Sequence, residues 1–237
     1  MIVSHSKLLK SFSRHLKLEK GVSDNTIDGY LHDVDKLFRY LSADSEPSID
    51  QLAGADITQF ICQLQDLGIQ ARSQARIISG LKAFYAFLRL EEYIDNDPME
   101  LIEGPKLGRK LPEVLTVEEI DAIIGSFDMS RPESQRNRAI IETMYDCGLR
   151  VSELVGLRIS QIHADDEYII VEGKGSKQRL VPISQNALHE IRLYLQDRCH
   201  LTPKRGDEDI LFLNRRGGRL SRVMIFYIIK ELSLIHI

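Results

Sequence analysis

Over roughly the first hundred residues, apolar side chains recur every three to four positions, the spacing of amphipathic helices. Leu8, Leu9, Phe12 and Leu16 mark one helix between Ser4 and Lys20. Gly21 breaks it, and Ser23 is suited to cap a second helix from Asp24 to Leu41, whose stripe is Ile27, Tyr30, Leu31, Val34, Leu37, Phe38 and Leu41. A shorter helix follows Asp56 (Ile57, Phe60, Ile61, Leu64) and ends at Gly68. A fourth, from Ala71 to Glu91, has its apolar face in Ile77, Ile78, Leu81, Phe84, Tyr85 and Leu88. Four such helices make a small bundle.

The pattern then stops. Glu103-Gly-Pro-Lys-Leu-Gly-Arg-Lys-Leu-Pro112 holds two prolines and two glycines, which break any helix and leave an extended tether. Beyond it, Thr116-Val-Glu-Glu119 has the form of a capping box before Ile120, Ile123 and Ile124. A helix from Ser134 to Cys147 ends at Gly148, and another begins near Arg150 with Val151, Leu154 and Val155. There the period shortens. Tyr168-Ile-Ile-Val171 and Arg179-Leu-Val-Pro-Ile183 are β-rich runs joined by Glu172-Gly-Lys-Gly-Ser-Lys177, a hairpin turn. Helical spacing returns from Ser184 to Cys199 and from Leu220 to Leu232. The expected fold is mainly α with one small antiparallel β-sheet, in two domains at 1–102 and 113–237 joined by a linker at 103–112.

Composition changes this picture little. No apolar run reaches the roughly 20 residues that cross a bilayer, and the start lacks the apolar core of a secretory signal, so a cytoplasmic protein with no membrane partner is expected. Three cysteines without CxxC or Cys/His spacing argue against a disulfide framework or structural zinc, and no cofactor or metal is expected.

Charge is more telling once it is split. The formal net charge is −4, yet residues 174–222 hold 11 basic and 5 acidic side chains. A basic segment inside an acidic chain points to an anionic partner.

Two constellations carry candidate chemistry. In Gly148-Leu-Arg-Val-Ser-Glu-Leu154 a guanidinium, Arg150, stands at a helix start, where the exposed backbone N–H groups favour anions. Glu153, one turn on, is near enough to orient it; spacing alone is also that of a surface ion pair. In Gly173-Lys-Gly-Ser-Lys-Gln-Arg179 the glycines let the backbone approach another molecule and free Lys174 to project, although a solubilising basic turn has the same composition. On the fourth helix Arg72, Arg76, Ser79 and Lys82 lie largely off the apolar stripe, as a solvated face would.

Taken in order, CGLRVSEL and VEGKGSKQRLVPI resemble the catalytic domain of the tyrosine recombinases, more narrowly the Xer-type site-specific recombinases and related integrases. Gly-Val-Ser-Asp-Asn-Thr-Ile-Asp-Gly-Tyr30, Ser73-Gln-Ala-Arg76 with Gly80-Leu-Lys-Ala-Phe-Tyr-Ala-Phe-Leu88, and the tether resemble their N-terminal DNA-clamping, SAM-like domain and its connection. The resemblance implies Arg150 as the first catalytic arginine, Lys174 as the hairpin lysine and general acid, and Glu153 as the acidic buttress. It implies double-stranded DNA as partner and makes Arg72, Arg76 and Lys82 candidate contacts, beside Lys177, Arg179, Arg222, Arg215, Arg216 and Arg219, whose place in the basic segment already suits them to phosphates. It also implies related subunits, four on paired sites.

The same family needs a His-x-x-Arg segment, a further His or Trp and a nucleophilic tyrosine after the hairpin. The letters of the first occur after the hairpin in His189-Glu-Ile-Arg192, which comes too early to match the family segment and reads as surface charge, and Tyr227, within an apolar run, reads as core packing. A C-terminally truncated α+β catalytic domain that binds DNA without cleaving it is therefore expected. The alternatives are a non-catalytic protein that occupies recombination sites or inhibits a full-length recombinase, and a helical interaction module without a DNA role.

Overall fold

The structure, a computed structural model, describes residues 5–43, 51–108, 111, 114–173, 175 and 177–236. Lys174 and parts of the tether lie outside the described residues. The chain divides into two compact units, Met1–Leu111 and Pro112–Ile237.

The first unit is helical. Helices α1 (His5–Leu18), α2 (Asp24–Ala43), α3 (Gly54–Asp66) and α4 (Ala71–Leu90) follow the apolar periodicity closely. Leu8, Phe12 and Leu16 from α1 meet Val34, Leu37 and Phe38 from α2 and Ile77, Leu81, Phe84 and Leu88 from α4 in one continuous core. Phe12 meets Phe84 edge-on at 5.1 Å between ring centres, and Phe84 meets Phe38 likewise at 6.0 Å. Such edge contacts add to what burial alone contributes. Helix α2 packs on α4, with Gly80 keeping the two backbones close: a methyl group there would stand 3.2 Å from the Tyr30 ring. Residues 102–108 form neither helix nor strand.

The second unit opens with α5 (Val117–Gly125). Its capping box is formed: the Thr116 hydroxyl accepts from the Glu119 N–H at 3.2 Å, and the Glu119 carboxylate accepts from the Thr116 N–H at 2.7 Å. Helices α6 (Ser134–Asp146) and α7 (Val151–Gly156) follow, with Gly148 between them at φ +56°, a left-handed conformation that suits glycine.

Strands β1 (Ile162–His163), β2 (Tyr168–Glu172) and β3 (Gln178–Pro182) form an antiparallel sheet in the order β1-β2-β3. Ile169 and Val171 face the core, with Ile169 opposite Val181 and Val171 opposite Arg179. Gly175 turns the hairpin at φ +74°. Helix α8 (Gln185–Arg198) is capped by the Ser184 hydroxyl and packs on α6. The last helix, α9 (Arg222–His236), turns Ile225, Ile228 and Leu232 inward.

That phase corrects the expectation for Tyr227. Once Ile225 and Ile228 face the core, Tyr227 points outward and is 58% exposed. The first strand is also new: two residues are too short to show an alternation.

Candidate functional site

Arg150 occupies the N-cap position of α7, with extended backbone (φ −70°, ψ 149°) directly after the Gly148 turn. Helix formation from Val151 onward turns Glu153 back under it. The Glu153 carboxylate accepts from the Arg150 backbone N–H at 2.9 Å and from Arg150 Nη1 at 3.0 Å. Glu153 is 3% exposed, whereas the Arg150 side chain is 75% exposed.

A second guanidinium completes the arrangement. Arg179, from β3, donates Nη1 and Nη2 to the two Glu153 oxygens at 2.8 and 2.9 Å, the side-by-side fork of a strong charge-assisted pair. Arg179 foremost, then the backbone and side chain of Arg150, pulls the Glu153 carboxyl down to about 2 against the opposing effect of burial. One buried anion thus joins α7 to the hairpin. Gly173 lies beside it, since a methyl group there would be 3.5 Å from Arg179 Nη1 and 3.7 Å from Glu153 Oε1. The residue before Lys174 is therefore at the Arg150–Glu153 cluster, while Lys174 itself lies outside the described residues.

The other candidates divide by partner. Arg72 and Lys82 are exposed on α4, which carries no acidic residue, and neither forms an ion pair with the described residues. Arg89 extends the same basic face by one more cation. Arg76 is committed: its guanidinium is held by Asp33, fully buried on α2, and also donates to the Gly29 carbonyl at 3.3 Å. Burial raises the Asp33 carboxyl, and Arg76 and Lys36 oppose that rise.

In the second unit Lys177 and Arg222 are exposed, as are Arg216 and Arg219, and Arg215 pairs with Glu133. The His189-Glu-Ile-Arg192 run splits: His189 and Arg192 face solvent, but Glu190 is buried against Arg138 (3.1 Å) and Gln135 (2.8 Å). Arg136 was not singled out by sequence. It is desolvated without a carboxylate partner among the described residues, donating to Asn137 and to the Leu213 carbonyl. Among the described residues no cluster of His, Cys, Asp and Glu could hold a metal ion, and no helix is long and apolar enough to cross a membrane.

Residues 113–234 match the phage integrase family, and residues 9–92 match the N-terminal SAM-like domain of phage integrases. The chain belongs to the phage integrase family, the tyrosine recombinases.

Within that family its likeness is to the Xer type. The tyrosine recombinase XerD of Chlorobaculum tepidum is 39% identical over 234 residues, covering 97% of this chain and 76% of the relative. XerD of Oceanobacillus iheyensis is 37% identical over 228 residues, covering 95% and 76%. Among solved structures, XerH bound to a palindromic difH substrate after cleavage superposes with a TM-score of 0.76 at 21% identity, over 98% of this chain and 67% of that one. A lambda integrase tetramer on a Holliday junction gives 0.72 at 18% identity, over 99% and 67%. These two likenesses establish the recombinase fold.

Proposed function

We propose that the chain binds duplex DNA as a Xer-type recombinase and grips the reacting phosphate with Arg150, while a polypeptide of these 237 residues does not itself cut the strand. The observation that carries the reading is the exposed guanidinium of Arg150, seated at a helix start and braced from below by buried Glu153.

In recombination by a tyrosine enzyme, negative charge grows on the non-bridging phosphate oxygens as the nucleophile attacks. A guanidinium aimed there favours that state over the ground state. Arg150 has Nε and Nη2 unbonded to the described residues, enough for a two-pronged contact. Lys174, two residues beyond Glu172 on the hairpin, has the chemistry to protonate the departing 5′-oxygen as general acid. The 3′-phosphotyrosyl link formed in such reactions keeps the bond energy, so rejoining needs neither metal nor nucleotide.

The nucleophile is what these residues do not supply. After the hairpin come only Tyr194 and Tyr227. The Tyr194 hydroxyl is buried and accepts from the Leu213 N–H at 3.0 Å. Tyr227 is exposed on α9, and the His-x-x-Arg run before it, His189–Arg192, lies within α8 with its Glu190 buried. DNA contact draws on two surfaces: Arg72 and Lys82 on the first unit, and Lys177, Arg216, Arg219 and Arg222 on the second. XerH and lambda integrase on DNA support the choice of partner, and the lambda tetramer supports recombinase subunits as further partners. The two-unit division supports the boundary between a DNA-clamping domain and a catalytic domain, joined through the segment at 103–112.

The test is incubation of the purified chain with a pool of nicked duplexes, resolved on native and denaturing gels. A retarded complex on the native gel and no covalent band on the denaturing gel is the expected result. A protein–DNA adduct that survives denaturation would contradict the reading, and its loss in Tyr227→Phe would name the nucleophile.

A further inference from the structure

Arg179 was expected at a DNA phosphate, yet both of its terminal nitrogens are occupied by Glu153 at 2.8 and 2.9 Å, and its side chain is only 40% exposed. We infer that Arg179 is a positioning residue for Arg150: as the two-pronged counter-ion of Glu153, it leaves Nε and Nη2 of the Arg150 guanidinium for a DNA phosphate. The inference rests on the phosphate-gripping role proposed for Arg150.

The charge count is the core of it. Glu153 is a buried anion, and a buried carboxylate attracts a cation strongly. With Arg150 as its sole partner, that attraction would draw the whole Arg150 fork down onto the two oxygens and leave a neutral, self-satisfied pair. With Arg179 present, both oxygens are already taken in the fork geometry that a planar guanidinium matches best. Arg150 then keeps one lateral bond, Nη1 to Oε1 at 3.0 Å, while Nε and Nη2 make no bond with the described residues. Two guanidinium groups on one carboxylate leave a net positive charge, and Arg150 is the more exposed of the two side chains.

The bond also fixes geometry. Arg179 lies opposite Val171 at the base of the hairpin, and Glu153 lies 26 residues earlier on α7. One buried anion therefore pins the base of the lysine-bearing hairpin to the helix that presents Arg150. Gly173 lies at the edge of the cluster, where a methyl group would be in ordinary contact with Arg179 Nη1 and Glu153 Oε1.

The experiment is fluorescence anisotropy of the full 237-residue chain with a labelled duplex of mixed sequence over a salt series. Alongside the unaltered chain it uses Arg150→Ala, Arg179→Ala, their double variant, Glu153→Gln, and Glu153→Gln with Arg179→Ala. Arg179→Ala is expected to lose about tenfold in affinity at low salt and to lower the slope of log K against log salt by about 1, although Arg179 touches no phosphate. The double variant is expected to bind no more weakly than Arg150→Ala, because Arg179 acts through Arg150. Removing the anion is expected to make Arg179 dispensable: Arg179→Ala in the Glu153→Gln background binds within about threefold of Glu153→Gln alone.

A merely structural role would not give that rescue. Arg179→Gln carries the same comparisons if Arg179→Ala does not fold by circular dichroism. Additive losses for Arg150→Ala and Arg179→Ala would overturn the inference and make Arg179 a direct phosphate contact. A loss in Arg179→Ala that Glu153→Gln fails to relieve would overturn it too. Unchanged binding by Arg150→Ala would instead overturn the underlying reading of Arg150, and the inference with it.

Discussion

At Glu153 and Asp33, burial pushes two carboxyls upward alike, yet their net shifts are opposite, and the difference lies in their partners. Glu153 receives two hydrogen bonds from Arg179 and two from Arg150, and its carboxyl is pulled from 4.5 to about 2. A folded-state value below the unfolded one stabilises the protein above pH 4.5, and that stabilisation disappears as pH falls toward 2. After screening through the half-exposed Arg179 and exposed Arg150, the effect is about 1–2 kcal/mol. Glu153→Gln should lower the unfolding free energy at pH 7 and flatten its decline in acid, as urea titrations at several pH values would reveal.

Asp33 is raised, because desolvation outweighs Arg76 and Lys36. Its contribution has the other sign: present at low pH and lost as pH rises through its elevated folded value. Arg76→Ala removes the closest cation and should destabilise the first unit by about 1–3 kcal/mol at neutral pH, leaving a buried charge poorly compensated. The melting temperature at neutral pH checks it, and Asp33→Asn in the Arg76→Ala background should recover part of the loss. Neither pairing was legible in sequence. Arg76 and Asp33 are 43 positions apart and Arg179 and Glu153 are 26 apart, so no local spacing records them, and both arginines read simply as free cations.

Among the elements, legibility followed amphipathicity. Helices α1, α2, α4, α5 and α8 were readable because each buries one stripe, and the hairpin because two β-rich runs flank a glycine-rich turn. Strand β1 was not, since two residues hold no period. The long apolar run of α9 hid which face was buried, hence the misplacement of Tyr227. Capping was the sharpest local signal. Thr116→Ala should cost about 1 kcal/mol of stability by removing one half of the α5 box, read from the midpoint of chemical denaturation.

Helix α4 separates structure from binding on one surface. Arg72→Ala and Lys82→Ala, both exposed and unpaired among the described residues, should leave stability within about 0.5 kcal/mol of the original. Each should weaken duplex binding by a similar factor for all sequences, the mark of a phosphate contact. Titrations with two unrelated duplexes check this.

For the molecule as a whole, the net charge of −4 conceals where the cations are. One unit presents them on a helix without acids, the other around a buried carboxylate and at the exposed side chains of Lys177, Arg216, Arg219 and Arg222. Family membership was legible because its motifs are short and consecutive, CGLRVSEL above all. What that motif does locally needed the structure, because its decisive partner comes from a distant strand.

Arg150 is a cation held ready for a DNA phosphate, and the salt dependence of duplex binding is where that readiness shows. For the unaltered chain log K is expected to fall linearly with log salt, and Arg150→Ala to lower the slope by about 1 while the protein stays folded. Binding that ignores salt, or a slope that Arg150→Ala leaves unchanged, would contradict it.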